Sequence, residues 1–276
     1  TMKTTKACIL AIAGSVASSQ ASIIAYEGFD TASANGADAT AVGVTGSGFS
    51  GYGNTNFRMD IEDGLSYADS SGNTLVVTGK SAGKDASVGG TQNLQLTLTS
   101  TIVNTGTIYM SFLVNTTAGT SWGLATGLST AEVGDSASPS TIAASLRSTS
   151  SNFGIYGAGN DIDIRTGPDS TPAGLSTIFF VAELNMTTEI MTGYINPTDL
   201  NDVSGTAVST MTDTATGWGD MTHFVHSLGA DYTGTVDEIR IGTTMADVTP
   251  FTAVPEPSST ALLGLGGIAL LLRRRK

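Results

Sequence analysis

A period of two in the apolar residues of two stretches most constrains how this chain folds. Leu94, Leu96 and Leu98 alternate with polar residues, and Ile108, Met110, Phe112 and Val114 repeat the same spacing. Successive side chains of a strand point to opposite faces of a sheet. Each stretch therefore predicts a strand with one apolar and one polar face.

Further strand candidates follow along the chain, with turn residues between them and no convincing amphipathic helix. The run from Ile178 to Leu184 is nearly continuously apolar, which indicates a strand buried on both faces. The Gly-rich stretch Gly43–Gly53 and the Ser/Thr/Asp-rich stretch Asn201–Asp220 are predicted as loops. The remaining strand candidates are Ile23–Phe29, Thr74–Thr78, Ile142–Arg147, Phe153–Tyr156, Ile190–Ile195, Phe224–Leu228 and Thr235–Ile241.

These strands predict an all-β fold. Many antiparallel strands must bury their apolar faces against a second sheet. We therefore predict a two-sheet antiparallel sandwich of jelly-roll type over residues 22–249, as one domain rather than two. The 34 glycines and the 13% share of charged residues agree with strands and turns rather than long helices.

The first 21 residues predict a cleaved signal peptide with a signal helix. Two lysines precede an apolar run from Ala7 to Val16, and Ser19-Gln20-Ala21 fits a small-x-small cleavage site. The single cysteine of the chain, Cys8, falls inside this segment. The mature chain is therefore expected to begin near Ser22 and to contain no disulfide.

The other end of the chain predicts a second targeting segment. Residues 250–259 form a Pro-rich linker, and the 13 residues from Thr260 to Leu272 carry no charge. A helix of this length is about 20 Å long, short of the roughly 30 Å hydrocarbon core, so it predicts a short hydrophobic helix that anchors only transiently. The positive-inside rule keeps the cations that follow it in the cytoplasm. The residues that define the segment are Pro255, Glu256, Pro257, Arg273, Arg274, Arg275 and Lys276.

This order of parts resembles the PEP-CTERM sorting tail of Gram-negative bacteria. The resemblance implies export by the Sec machinery and recognition by an exosortase-type membrane transpeptidase. Such an enzyme cuts near Pro-Glu-Pro and passes the protein to the envelope surface. The alternative is an ordinary tail anchor, which would leave residues 260–276 in the membrane.

Seven segments of the body carry a second resemblance. They are Tyr26-Glu27-Gly28-Phe29, Gly48-Phe49-Ser50-Gly51, Asp63-Gly64-Leu65-Ser66-Tyr67, Met110-Ser111-Phe112-Leu113, Tyr194-Ile195-Asn196-Pro197, Val236–Thr244 and Ala246–Pro250. Together they are similar to the LamG-like, concanavalin-type sandwiches that many PEP-CTERM proteins carry. The resemblance implies a fold and a surface location, and it transfers no site residues.

The charge of the body argues against one class of partner. Six of the 12 cations lie in the two terminal segments, which leaves six cations against 23 acids and a net charge of −17 for the body. Such a surface repels phosphate backbones, so nucleic acid is not expected as a partner. It favours solubility outside the cell and suits divalent cations.

Signatures of catalysis are weak. Gly46–Gly51 satisfies GxGxxG, but no helix is predicted after it, so we interpret it as a loop. His223 and His226 would lie on opposite faces of a strand, which argues against a shared metal. Glycosidases need two carboxylates about 5–10 Å apart. Asp60–Asp63 and Asp161–Arg165 do not match the E-x-D-x-E of similar glucanases, so the chain is not expected to be an enzyme.

Acidic residues leave a cation site open. Asp161 and Asp163 share a strand face and are candidate calcium ligands, as are Asp60, Glu62 and Asp63. The alternative is that they are solvated turn acids. Apart from calcium, no cofactor is expected.

The strand parity of Asp237 predicts a structural role. Asp237 has the parity of Ile239 and Ile241, so it is expected to point inward. We predict that its carboxylate binds backbone N–H groups of a neighbouring loop.

Three functions remain open. The first is a non-enzymatic surface or extracellular-matrix protein with an adhesive or structural role. The second is a carbohydrate-binding module whose candidate aromatic platforms are Trp122 and Trp218, although loop packing also explains both. The third, disfavoured by the missing carboxylate pair, is a glycan hydrolase. The expected location is the envelope surface or matrix of a Gram-negative bacterium, with the sorting transpeptidase, the export machinery and an extracellular glycan as partners and membrane contact only through the terminal segments.

Overall fold

The chain is built of strands throughout the part that the structure describes. The structure is a computed structural model, and it describes residues 22–53, 59–85, 87–117, 123–133, 142–148, 153–157, 177–214, 218–230 and 232–253. Each helix within these ranges is a single turn, and none is long and apolar enough to cross a membrane. The predicted signal helix and the predicted C-terminal hydrophobic helix lie outside these residues.

Sixteen strands and three helices occur within the described ranges. In chain order they are β1 (Ile23–Glu27), α1 (Ala39–Val42), β2 (Phe49–Tyr52), β3 (Met59–Asp63), β4 (Thr74–Leu75), β5 (Lys80–Lys84), β6 (Gln92–Ile102), β7 (Thr107–Thr117), β8 (Leu124–Ser129), β9 (Ile142–Ser148), β10 (Phe153–Gly157), β11 (Ile178–Asn185), β12 (Ile190–Pro197), α2 (Val203–Thr206), β13 (Ala207–Thr214), β14 (Met221–Leu228), β15 (Thr233–Gly242), α3 (Met245–Val248) and β16 (Phe251–Thr252).

Two large sheets form the sandwich. Eight described strands make up the larger sheet, in the order β13-β12-β11-β7-β15-β5-β3, with β1 also paired to β15. Six described strands make up the smaller sheet, in the order β10-β9-β8-β14-β6-β2. The neighbouring strands in both sheets run antiparallel. The prediction of an all-β, two-sheet antiparallel sandwich is confirmed, and β4 and β16 form a separate antiparallel pair.

The main core lies between the two sheets and follows the alternation in the sequence. The leucines of Leu94–Leu98 and the apolar positions of Ile108–Val114 are buried in it. The Phe112 ring lies 5.1 Å from the Phe180 ring of the same sheet and 5.9 Å from the Phe224 ring of the smaller sheet. Aromatic contacts therefore join the two layers, and each such buried side chain stabilises the fold by about 1.5–3 kcal/mol.

A second apolar cluster covers part of the outer face of the larger sheet. Strand β11 contributes to both clusters, because Phe180 faces the main core whereas Phe179 and Val181 face the second cluster. The prediction that Ile178–Leu184 is buried on both faces is confirmed. The other buried members of the second cluster are Leu75, Leu113, Tyr194, Leu200, Val203 and Val248.

Two stretches that were predicted as loops contain strands. Phe49–Tyr52 forms β2 at one edge of the smaller sheet, and Ala207–Thr214 forms β13 at one edge of the larger sheet. Among the described strands, each pairs with a neighbour on one side only, β2 with β6 and β13 with β12. Strand propensity depends strongly on such context, so the small and polar residues of both segments are typical of loops as well as of edges. Strand β2 includes the last three residues of Gly46–Gly51, so the interpretation of the whole motif as a loop is wrong for that half. Residues 54–58, which follow it closely, lie outside the described residues.

Candidate functional site

A groove opens on the outer face of the larger sheet, where β3, β5, β15 and β7 lie side by side. Strand pairing aligns Asp60, Gly83, Thr235 and Asn115 in one row across these strands. Val236, in the adjacent row, faces the main core, so the first row points outward. The groove, which we call the Glu62 groove, has a volume of about 280 Å³ and is lined by Glu62, Gly83, Lys84, Asn115, Thr233, Gly234 and Thr235.

Gly83 makes the shape of the groove. A Cβ atom at this position would lie 2.7 Å from Thr235 Cγ2 and 2.9 Å from Glu62 Cγ, closer than side chains pack. Glycine inside a strand is a sign of such close approach. With Gly234 beside it, the groove has a stretch of bare backbone in its wall.

Three polar groups of the groove make no hydrogen bond or ion pair with other described residues. No hydrogen bond or ion pair within the described ranges engages the Glu62 carboxylate or the Asn115 amide. The Thr235 hydroxyl oxygen is buried, also without a partner there. Burial, followed by the charges of Asp60 and Asp63, raises the pKa of Glu62. An unpaired carboxylate beside a free amide is suited to bind groups that donate hydrogen bonds.

The two nearby lysines are engaged elsewhere. Lys80 Nζ donates to Asn35 Oδ1 at 2.7 Å and lies 3.5 Å from Asp63 Oδ1. Lys84 Nζ donates to the backbone carbonyls of Gly229 and Ala230, at 2.8 and 2.7 Å. The groove therefore retains the negative charge of Glu62.

A second polar cluster lies at the bulge of β15, around the buried side chains of Glu238 and Arg240. Glu238 has a φ of 51° and its carboxylate accepts hydrogen bonds from the Thr78 N–H, the Tyr26 hydroxyl and the Arg240 guanidinium. Arg240 also donates to the Val76 carbonyl at 2.5 Å and lies 5.0 Å from the centre of the Tyr26 ring. We call Tyr26, Thr78, Glu238 and Arg240 the Glu238 hub. It fastens the loop around residues 76–78 to β15, which is a structural role.

The position of Asp237 contradicts the predicted orientation of its side chain and confirms its predicted hydrogen bond. The register of β15 against β7 shifts between Asp237 and Arg240, so parity changes there and the predicted inward orientation is wrong. Asp237 pairs with Leu113, whose side chain belongs to the second cluster on the outer face. Its Oδ2 accepts from the Leu65 N–H at 2.7 Å, which confirms the predicted bond to a neighbouring loop. Burial raises the pKa of Asp237 to about 8, against the lowering effect of the Leu65 N–H.

The two histidines lie on opposite faces of β14, as predicted. His226 is fully buried and its Nδ1 lies 2.7 Å from the Thr126 hydroxyl oxygen. Burial lowers the pKa of His226 to about 3. His223 is partly exposed and pairs with Thr97 on the adjacent strand. Within the described residues, no group of three or more His, Cys, Asp or Glu is arranged to hold a metal ion.

The residues predicted for sugar, calcium and sorting are mostly outside the described part. Trp218 is within it and is buried in the main core, with 2% of its surface exposed. Its ring therefore does not present a face to solvent. Trp122, Asp161, Asp163 and the sorting residues Pro255, Glu256, Pro257, Arg273, Arg274, Arg275 and Lys276 lie outside the described residues and stay predictions.

The sequence did not indicate the groove as a site. The sequence pointed to Glu62 only as a candidate calcium ligand and as part of a stretch that does not match the glucanase pattern, and it did not predict Lys80–Lys84 as a strand. The signal that was available is Gly83, because a glycine within a strand indicates a close approach of neighbouring chains. Gly83 alone does not show which chains approach it; that depends on the position of β5 between β3 and β15 in the sheet.

Comparison with known proteins identifies the tail. Residues 253–276 match the family described as the PEP-CTERM protein-sorting motif. No curated protein sequence matches the chain.

Solved structures with a similar fold include several lectins. Lectin II from Ulex europaeus has a TM-score of 0.40 and 10% identity, over 66% of this chain and 99% of that chain. The basic winged bean lectin with Tn-antigen has a TM-score of 0.44 and 9% identity, over 70% and 95%. The Ca²⁺/Man-bound exoplasmic/lumenal domain of VIP36 has a TM-score of 0.44 and 7% identity, over 67% and 89%. The likeness is distant and concerns the fold alone.

Proposed function

We propose that the chain is an exported bacterial protein whose sandwich is displayed at the cell surface or in the extracellular matrix, where it has a non-catalytic, adhesive or structural role. An exosortase-type transpeptidase would remove the tail after export by the Sec machinery. The match of residues 253–276 to the sorting motif is the observation that carries this proposal. The host would be a Gram-negative bacterium, with a transient anchor in the inner membrane.

The position of the last described strand is compatible with removal of the tail after export. Strand β16 ends at Thr252 and pairs with β4, and the Pro250 carbonyl accepts from the Val76 N–H at 2.8 Å. Pro255 lies three positions after Thr252, at most about 11 Å of extended chain. A cut near Pro255–Pro257 would therefore remove no described strand and would leave the sandwich intact.

The Glu62 groove supports a non-catalytic role. Hydrolysis of a glycosidic bond requires a second carboxylate about 5–10 Å from the first, across the sugar. Asp60 lies about 7 Å from Glu62 along the same outward face of β3, beside it rather than across the groove. Glu62 is the sole carboxylate among the described residues that line the groove. Binding needs no such pair.

Carbohydrate binding is the second candidate function, and the groove favours it. Glu62 and Asn115 present polar groups without partners in the described ranges, beside the bare backbone of Gly83 and Gly234. Sugar hydroxyls both donate and accept hydrogen bonds, so they match a carboxylate and an amide. The volume of about 280 Å³ is near the lower end of the range of ligand sites, which suits a single ring.

The sorting proposal is tested by replacing Pro255, Glu256 and Pro257 together with alanine. In a Gram-negative host that carries an exosortase, we expect the wild type to be labelled at the surface of intact cells. The variant should stay in the membrane fraction with its tail attached, because the cleavage motif is lost while residues 260–276 are unchanged. Ser258→Ala is the matched control and should behave as the wild type.

Two results would contradict the proposal. One is equal surface labelling of the triple-alanine variant and the wild type, which would show that the tail is not read as a sorting signal. The other is a wild type that keeps its tail in the membrane fraction. That result would favour the ordinary tail anchor.

A further inference from the structure

We infer that the Glu62 groove binds an amino sugar, with Glu62 pairing with the protonated amino group and Asn115 with a neighbouring hydroxyl. This inference rests on the second candidate function, carbohydrate binding. It adds the chemical class of the ligand, which follows from a carboxylate that has no ion pair within the described ranges.

The first step of the argument is the charge of Glu62. Its carboxylate has no ion pair within the described ranges. Its negative neighbours Asp60 and Asp63 repel it, and the attraction of Lys80, which lies beyond ion-pair distance, is the smaller effect. Lys80 is held by Asn35 and Asp63, and Lys84 by two backbone carbonyls. A neutral sugar would leave this charge as it is, whereas an ammonium group would compensate it through a charge-assisted hydrogen bond.

The second step is the chemistry of the remaining lining. Besides Glu62 and Lys84, it consists of Asn115, two threonines and two glycines. None of these residues is an aromatic or a branched aliphatic residue, so the apolar surface of the groove comes only from threonine methyl groups, glycines and side-chain stems. The Asn115 amide matches the hydroxyls that a sugar ring carries and a lysine side chain does not.

The third step shows that the Glu62 groove suits an ammonium group better than a calcium ion. Calcium takes six to eight oxygen ligands and is usually held by several carboxylates. Glu62 is the single carboxylate in the described lining, and no group of three or more metal-binding side chains is found in the described residues. One carboxylate suits a single ammonium group.

The experiment compares two probes with the folded domain, residues 22–253, and with the full chain in detergent. One probe is a glucosamine oligomer and the other is the same oligomer with N-acetylated amino groups, both measured by calorimetry. We expect the wild type to bind the glucosamine oligomer, and Glu62→Gln to weaken this binding about tenfold, as expected for the loss of one partly screened charged hydrogen bond. Added salt should weaken it as well.

Matched variants show whether the effect belongs to the groove. Glu183→Gln removes a partly exposed carboxylate from the outer face of the same sheet, in the row of Tyr109 and Thr192, and should leave binding unchanged. Gly83→Ala places a methyl group between Thr235 and Glu62 and should weaken binding of either oligomer. The melting temperature of each variant confirms that it is folded.

The outcomes separate this inference from the function on which it rests. Equal binding of the two oligomers, unchanged in Glu62→Gln, would overturn the amino-sugar inference and leave carbohydrate binding in place. No binding of either oligomer, or of a neutral glycan panel, would overturn both. Binding of a lysine-rich peptide that depends on Glu62, without binding of the glucosamine oligomer, would overturn the inference in favour of a protein partner.

Discussion

Replacing Glu238 with glutamine is expected to lower the free energy of unfolding by about 3–5 kcal/mol, because it removes one partner of a buried ion pair and leaves the other uncompensated. Glu238 is fully buried and Arg240 is nearly so. The same carboxylate accepts from the Thr78 N–H and the Tyr26 hydroxyl, so the loop that it fastens would loosen as well. Urea unfolding of the folded domain measures the change.

Two controls isolate the buried pair. Asp63→Asn removes the exposed partner of Lys80 and should leave the unfolding curve almost unchanged, since exposed ion pairs contribute little. The double variant Glu238→Met/Arg240→Met should lose less stability than Glu238→Gln alone, because no charge then stays buried without its partner. A Glu238→Gln variant as stable as the wild type would show that the hub does not hold the sandwich together.

The buried His226 is expected to make stability depend on acid pH. Its pKa falls from the ordinary 6.5 to about 3 in the fold, because burial disfavours the charged ring. Below pH 6.5 the unfolded state binds a proton at His226, whereas the folded state binds it only near pH 3. The contribution of His226 to stability is therefore fully present above pH 6.5 and is lost as the pH falls from 6.5 towards 3. One proton corresponds to about 1.4 kcal/mol per pH unit.

Asp237 is expected to change the pH dependence of stability in the opposite direction to His226. Its pKa rises from 3.8 to about 8, so its contribution is fully present below pH 3.8 and is lost as the pH rises towards 8. Between pH 3.8 and 6.5 the two slopes oppose each other, and between 6.5 and 8 only Asp237 acts. These two contributions to the unfolding free energy should therefore nearly cancel in the first window, and in the second the contribution of Asp237 should fall with rising pH.

Removing His226 separates the two contributions. We expect Thr126→Val/His226→Leu, which replaces both partners of the buried hydrogen bond, to gain stability by about 1.4 kcal/mol per pH unit as the pH falls from 6.5 towards 4. Asp237→Asn should lose the decline above pH 6.5. Urea unfolding across this pH range measures both effects. Parallel pH curves for the wild type and Thr126→Val/His226→Leu would contradict the assignment to His226.

Strands with a strong pattern could be predicted from the sequence because a single physical constraint shapes them. The leucines of Leu94–Leu98 and the apolar positions of Ile108–Val114 alternate because each strand buries one face in the main core. Ile178–Leu184 is continuous because β11 lies between two apolar clusters. Periodicity alone therefore led to the two-sheet sandwich.

Strands with weak patterns could not be predicted in this way. Lys80–Lys84 contains Ser81, Ala82 and Gly83, and its place in the sheet comes from the neighbours β3 and β15 rather than from its own propensity. The bulge at Glu238 was also invisible, because one extra residue changes the faces on which Asp237 and Arg240 lie. Parity counting across Asp237 therefore predicted the wrong face.

The groove was missed for a related reason. Its residues come from four strands that are far apart in sequence, and the lack of a partner for Glu62 depends on where Lys80 and Lys84 bind. A charge without a partner is a property of the fold and leaves no local pattern. The targeting segments, in contrast, are read as linear sequence, and the match of residues 253–276 agrees with the prediction made from their order alone.

The mass of the mature protein tests most directly the claim that this sandwich is delivered to the cell surface without its tail. The measurement is intact mass spectrometry, with peptide mapping of both ends, on protein released from the surface of an exosortase-carrying host. We expect a chain that begins near Ser22, ends within Pro255–Pro257 and keeps all the described strands. Surface protein that still carries Arg273–Lys276, or protein found only inside the cell with both ends uncut, would contradict the account.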